Sequence, residues 1–270
     1  MACIIPAPRP SASTSFAAPR YTRPMPAASS TPDAPANAYP KLRRHLFDDS
    51  GGVGYHLRAL RHRRTLWAPF IAQVAGWLNA WRAPTAHLVI IGPSGGYALD
   101  ERFLQRFDRI TVLEPDPLAR LILRRRFPRL RIEHGELDCL SGREGPHWLA
   151  RLYPGASLLF ANVLGQTPVL AADARWADRL RTALQAHHWA SWHDVLSAAT
   201  PPLADIDRPL EPAADIPTLA TRCWRWPTEV SDHDSFGLVG RQDGLALWHL
   251  SPAQWQIVEW GIHAPESDAA

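Results

Sequence analysis

Lysine is nearly absent from this chain: Lys41 is the only one, so the positive charge rests on arginine. With 29 basic residues against 26 acidic ones the net charge is +3, and charge alone makes no case for a nucleic-acid partner. Cysteine is scarce too. Cys3, Cys139 and Cys223 are odd in number and far apart, which excludes a disulfide framework and a cysteine metal clip and fits a reducing, cytoplasmic setting. No stretch approaches the roughly 20 consecutive apolar residues of a membrane-spanning helix, so no membrane partner is expected. Apolar residues are plentiful in total, at 46% of 270. That supplies a core for one large α/β domain or two small ones and excludes wholesale disorder.

The chain divides by composition. Residues 1–40 carry no acidic group before Asp33 and are rich in Pro, Ala, Ser and Thr. Such a segment has too little apolar surface to offset its ordering entropy and reads as a disordered tail. Residues 41–84 read as helical. Gly54–Arg64 is basic, and Trp67, Phe70, Ile71, Val74, Leu78 and Trp81 recur at helical spacing, with Pro69 in the first turn.

From residue 85 to 264 strands and helices alternate. Strands are expected at His87–Ile91, Ile110–Leu113, Leu130–Glu133, Ser157–Ala161 and Trp189–Leu196. A helix is expected from Leu99 to Phe107, and a second capped by Asp116 with Pro117 and stopped by Pro128. A third, opened by Thr167-Pro168, carries Trp176, Leu180 and Leu184 on one face. Repeated βα units imply a mostly parallel, doubly wound α/β sheet. Residues 200–221, rich in Pro and Asp, read as an irregular insertion. Leu245–Leu250 and Trp255–His263 should pair antiparallel, and residues 265–270 form a polar tail.

A parallel sheet binds ligands beyond the carboxyl ends of its strands, commonly at the first βα turn. That turn here is Gly92-Pro93-Ser94-Gly95-Gly96. Its glycines admit positive φ and close backbone approach, and free helix N–H groups can donate to a ligand. The next strand ends at Glu114, 22 residues after Gly92, where a carboxylate reaches the hydroxyls of a ribose. The sequence over roughly residues 86–170 resembles the class I S-adenosylmethionine-dependent methyltransferases. Gly92, Ser94 and Gly96 stand at the family's G-x-G-x-G positions, with serine for the middle glycine. The resemblance implies Glu114 on the ribose, Pro115 beside the adenine, Glu136 (or Asp138) on the adenine amino group, and Asn162 toward the methionine end or substrate. It implies S-adenosyl-L-methionine as cofactor and methyl transfer to an unidentified, small-molecule or other, acceptor. The segment from Phe160 to Gln166 lacks the N-P-P-Y motif of amino-group methyltransferases.

Other readings stay open. The same loop satisfies G-x-S-x-G, the nucleophile elbow of α/β-hydrolases, with Asp194 and His233 following Ser94 in the required order. Tyr97 stands where a nicotinamide-binding G-x-G-x-x-G would need glycine. A cofactor-binding domain without catalysis is a further alternative. Asp232-His233-Asp234 alternate across an extended chain, so they should not converge on a metal, and His233 is the candidate general base. Trp224 and Trp226 are candidates for an aromatic substrate wall. The arginine runs 61–64 and 124–131 read as solvated surfaces.

Overall fold

The computed structural model describes residues 39–43, 52–140, 142–165, 175–203, 208–240 and 242–265. Of the expected tails, 1–40 and 265–270, residues 1–38 and 266–270 lie outside the described residues, as does the opening of the third helix at Thr167-Pro168. Residues 39–43, expected as tail and helix, are instead extended, Lys41 bridging Leu137 and Pro40 accepting from Asp138. Among the described residues no helix is long and apolar enough to cross a membrane.

Strands β1 (His87–Ile91), β2 (Arg109–Leu113) and β4 (Ser157–Ala161) are short, nearly continuous apolar runs. Such runs suit strands covered on both faces, and all but the first residues of β1 and β2 are buried. With β3 (Ile132–His134), β5 (Trp189–Ala198), β6 (Val230–Asp232), β7 (Gln242–Ser251) and β8 (Gln254–His263) they form one eight-stranded sheet. Its order is β3-β2-β1-β4-β5-β8-β7. The first five are parallel; β8 runs antiparallel to both β5 and β7, and β6 pairs antiparallel with the far end of β5. The fold is a mostly parallel, doubly wound Rossmann-like sheet with an antiparallel C-terminal strand pair.

Alternation along the strands sorts side chains into two layers. Leu88 and Ile90 join the core shared with α1 (Gly52–His62), α2 (Ala68–Ala80) and α4 (Pro117–Arg126). Val89 and Ile91 join the core under α5 (Gly145–Leu152) and α6 (Trp176–Ala183). The N-terminal helices belong to the same body. Phe70 stacks on Trp248 at 4.5 Å, Trp77 stacks on Trp260 at 5.7 Å, and Trp67 donates its indole N–H to the Leu250 carbonyl at 2.9 Å. Each such aromatic buries area equivalent to about 2–3 kcal/mol, so α2 is fastened to β7 and β8.

The helix after β1 is shorter than the pattern suggested. Helix α3 is Glu101–Leu104, capped by Asp100, whose side chain accepts from the Phe103 amide. Strand β2 must begin at Arg109, and the residues between fold into turns that close with Asp108 N–H on the Ala86 carbonyl. Consequently the end of α3 lies several residues past the glycine loop and supplies it no N–H groups. The segment 200–221 is not wholly irregular, since α7 (Ile216–Cys223) begins in it.

Candidate functional site

Three residues of the first βα loop adopt left-handed backbone: Gly92 at φ +62, Ser94 at +50 and Gly96 at +66. A Cβ on Gly92 would lie 2.1 Å from Cγ1 of Val163, and one on Gly96 would lie 2.4 Å from Cδ1 of Leu123 on α4. The first glycine admits the chain after β4, and the third lets α4 approach. Ser94 accepts the left-handed cost, about 1–2 kcal/mol for a residue with a Cβ, and its amide thereby points at β2.

That amide donates to Oε2 of Glu114 at 2.7 Å, and the Asp116 amide donates to Oε1 at 3.0 Å. Glu114 is only 5% exposed. Burial raises its pKa to about 7, against the opposing pull of those two amides. The Arg120 guanidinium binds the Glu114 carbonyl, fixing the end of β2 from below.

A cavity of about 340 Å³ opens over the carboxyl ends of β1, β2 and β4, at the point where strand order reverses. Gly92, Pro93, Ser94, Glu114, Pro115 and Asn162 line it together. Asn162 is also left-handed, at φ +59, and its Oδ1 accepts from the Asp194 amide at 3.1 Å. Gly96 is not at the wall; it packs on Leu123. Glu136 is not there either. It is exposed and paired with Lys41 at 3.1 Å, whereas Asp138, two residues on, lines the cavity. Alternation alone does not separate the two, since residues two apart share a face of an extended chain. Residues 136–138 lie against 40–42, Leu42 donating to the Glu136 carbonyl and Asp138 to that of Pro40, and the ion pair with exposed Lys41 holds the Glu136 side chain at the surface.

The cavity has two chemically different ends. Glu114, Pro115, Leu137, Asp138 and Cys139 form one, with Arg43 beside them; Tyr55, Phe70, Tyr97, Trp192 and Trp248 form the other. Burial holds Cys139 far above its ordinary thiol range, so it is an inert, neutral wall. Burial likewise raises Tyr55, and takes Tyr97 to about 12, so both keep their protons. The aromatic end was not legible from the sequence. Trp224 instead donates its indole N–H to the Thr200 carbonyl within another core, and Trp226 is 93% exposed.

Helix α1 roofs the cavity through a buried histidine. His56 Nδ1 lies 2.8 Å from the Tyr97 hydroxyl and Nε2 lies 3.0 Å from Oδ2 of Asp116. The other oxygen of Asp116 caps α4 through the Leu118 amide at 2.7 Å. One of two histidines in a helix without acidic residues was its only trace in the sequence.

The structure does not bring His233 to this site. Its Nε2 lies 3.1 Å from the Ser197 hydroxyl and 3.7 Å from Asp194 Oδ2, and it is absent from the cavity wall. Short β6 pins it there, because pairing Asp232 with Leu196 sets the following residue along β5. A nucleophile–histidine–acid relay at Ser94 is therefore not assembled, because Asp194 and His233 stand together without Ser94. Asp194 is further engaged by Gln256 at 3.0 Å.

No family model matches the chain, and a search of curated proteins finds no relative. Among solved structures it is similar to a SAM-dependent methyltransferase from Anabaena variabilis, at 15% identity over 54% of this chain and 60% of that one, TM-score 0.36. It is similar to the N-methyltransferase NodS of Bradyrhizobium japonicum in complex with S-adenosyl-L-homocysteine, at 12% identity over 71% and 83%, TM-score 0.39. A third is magnesium protoporphyrin IX methyltransferase from Synechocystis with bound SAM, at 11% identity over 82% and 89%, TM-score 0.41. This chain thus covers less than two thirds of the Anabaena protein's length. At such low identities the likeness is one of fold alone.

Proposed function

We propose that the cavity binds S-adenosylmethionine and that the protein transfers the methyl group to an acceptor entering at the aromatic end. The observation that carries this is Glu114: a buried carboxylate at the end of the second strand, hydrogen-bonded to the glycine loop and lining a cavity at the switch point. Each carboxylate oxygen accepts one amide and has a second lone pair left for a ribose hydroxyl. Pro115 and Leu137 offer flat apolar surface for a purine, and Asp138 an acceptor for its amino group. Ser94 and Asn162 suit the polar methionine end, and Glu136 has no part in the site. Aromatic faces attract cations, so Tyr55 and Trp192 suit a sulfonium.

Such a donor arrives already activated, its methyl bonded to a cationic sulfur. The chain's task is then alignment of donor and acceptor and exclusion of water, which α1 and the aromatic wall perform by roofing the cavity. Tyr55, Phe70, Tyr97, Trp192 and Trp248 give this end of the wall its large aromatic surface, which favours an acceptor with an apolar, planar body. Among the described residues no histidine lines the cavity, both tyrosines stay protonated, and Asp116 is engaged by His56 and the Leu118 amide. His233 is accordingly assigned no proton transfer, and the preferred acceptor is a nucleophile that attacks without prior deprotonation.

Calorimetric titration of the full chain tests the reading. S-adenosylhomocysteine should bind, NAD should not, and Glu114→Ala should weaken the first at least tenfold. Absence of binding, or selective labelling of Ser94 by a fluorophosphonate, would overturn it in favour of another use of the loop.

A further inference from the structure

Two basic runs that are separate in the sequence meet in the fold. Helix α1 packs against α4, and each ends in a run of arginines, Arg61, Arg63 and Arg64 at the end of the first and Arg124, Arg125 and Arg126 at the end of the second. No acidic residue occurs between Gly52 and Leu99, nor between Pro117 and Ile132. Asp116, at the start of α4, is buried and engaged by His56 and the Leu118 amide. Among the described residues none of the six arginines has a carboxylate partner.

Two of them converge on one residue. Arg63 Nε donates to the Tyr97 carbonyl at a long 3.4 Å, while the Arg126 guanidinium lies over the Tyr97 ring, 5.4 Å from its centroid. Arg126 Nε is buried and has no hydrogen-bond partner. A buried guanidinium donor without an acceptor is costly, and two like charges on one tyrosine add to that cost. The negative ends of α1 and α4 draw cations to this place but supply no acceptor to the orphaned donor. Burial and the neighbouring Arg63 both act on Arg126, lowering its pKa to about 10.

We propose that the seam between α1 and α4 is a binding site for a phosphate-class oxyanion, clamped between Arg63 and Arg126. The planar fork of a guanidinium matches two oxygens of such an anion, and a tetrahedral anion offers enough oxygens for both forks. Because α1 also roofs the cavity, the anion fastens the roof from outside, whether as free phosphate or as the phosphate of a larger molecule.

Thermal unfolding of the full chain in sodium phosphate and in sodium chloride of equal ionic strength reads the site. Phosphate should raise the midpoint beyond chloride in a saturable way, and Arg63→Gln and Arg126→Gln should each weaken the apparent phosphate affinity at least tenfold. Arg126→Lys, which keeps the charge and loses the fork, should lie between. Should Arg126→Gln not fold, Arg63→Gln decides, since it gives up a single long bond. S-adenosylhomocysteine should still bind Arg63→Gln, which separates this site from the cavity. Tighter binding of phenyl phosphate than orthophosphate points to a phosphorylated larger molecule, equal binding to the free ion, and both support the site. Equal shifts in the two salts, or a phosphate response untouched in the variants, would overturn it.

Discussion

The amide of Ser94 lies 2.7 Å from the Glu114 carboxylate, so the group proposed to hold a ribose also holds the shape of the loop beneath it. Burial puts the pKa of Glu114 at about 7, above its ordinary 4.5. The folded state therefore binds the proton more tightly than the unfolded chain. Stability of the ligand-free protein should fall as pH rises through that interval, on the order of 3 kcal/mol. Ligand affinity should run the other way, since ribose hydroxyls donate best to the ionised carboxylate. S-adenosylhomocysteine binding should weaken by up to roughly tenfold per unit below pH 7. Calorimetry between pH 6 and 8 checks this, and a flat profile would remove Glu114 from the binding step.

Gly92 tests the loop without touching a polar group. Gly92→Ala adds a Cβ 2.1 Å from Val163 Cγ1 at a φ of +62. It should destabilise by about 2–4 kcal/mol, from backbone strain together with overpacking. Adding Val163→Ala should recover the overpacking share and leave the strain. Denaturant melts of both singles and the double measure the coupling, and strict additivity would argue against the contact.

Much of this architecture was legible because local signals agreed with one another. The apolar runs of β1 and β4 are bounded as expected, and Asp116 with Pro117 starts α4 through the cap the sequence announced. Helix α7 carries the same kind of signal, since Asp215 caps through the Thr218 amide and Pro217 sits in the first turn. There the richness in Pro and Asp was read as irregularity although it encodes a helix start. Glu136 and Asp138 could not be told apart, because they share a parity and are distinguished only by contacts from afar in the sequence, Glu136 with Lys41 and Asp138 with the cavity. Nor could the aromatic end be foreseen. Tyr55, Phe70, Tyr97, Trp192 and Trp248 come from α1, α2, the loop, β5 and β7, and nothing in local spacing joins them.

His56 couples the roof to the site. His56→Ala would leave the Tyr97 hydroxyl and one oxygen of Asp116 buried without their partner, a cost of about 2–4 kcal/mol. Asp116 also donates its amide to Glu114, so ligand affinity should fall together with stability. Hydrogen exchange should report α1 opening first in the variant. An α1 as protected as in the wild type would mean that the aromatic contacts alone hold the roof.

Glu259 provides the complementary case, a buried carboxylate remote from the cavity. Its Oε2 accepts from the Gly237 amide at 2.8 Å and lies 3.2 Å from His193 Nε2, and its Oε1 accepts from Gln242 at 2.9 Å. It joins β8 to β5 across a register pair and is 2% exposed, with His193 fully buried. Glu259→Ala takes the acceptor from the Gly237 amide and from Gln242 and leaves His193 Nε2 only the Ser235 carbonyl at 3.0 Å, so the loss should be about 2–4 kcal/mol. None of these groups lines the cavity. S-adenosylhomocysteine should therefore bind the folded fraction as tightly as the wild type, while Glu114→Ala abolishes binding. Calorimetry at a temperature where Glu259→Ala remains folded separates the two carboxylates. Equal loss of affinity in both would mean that the antiparallel pairing of β5, β8 and β7, through Trp192 on β5 and Trp248 on β7, sets the cavity's shape as strongly as Glu114 sets its chemistry.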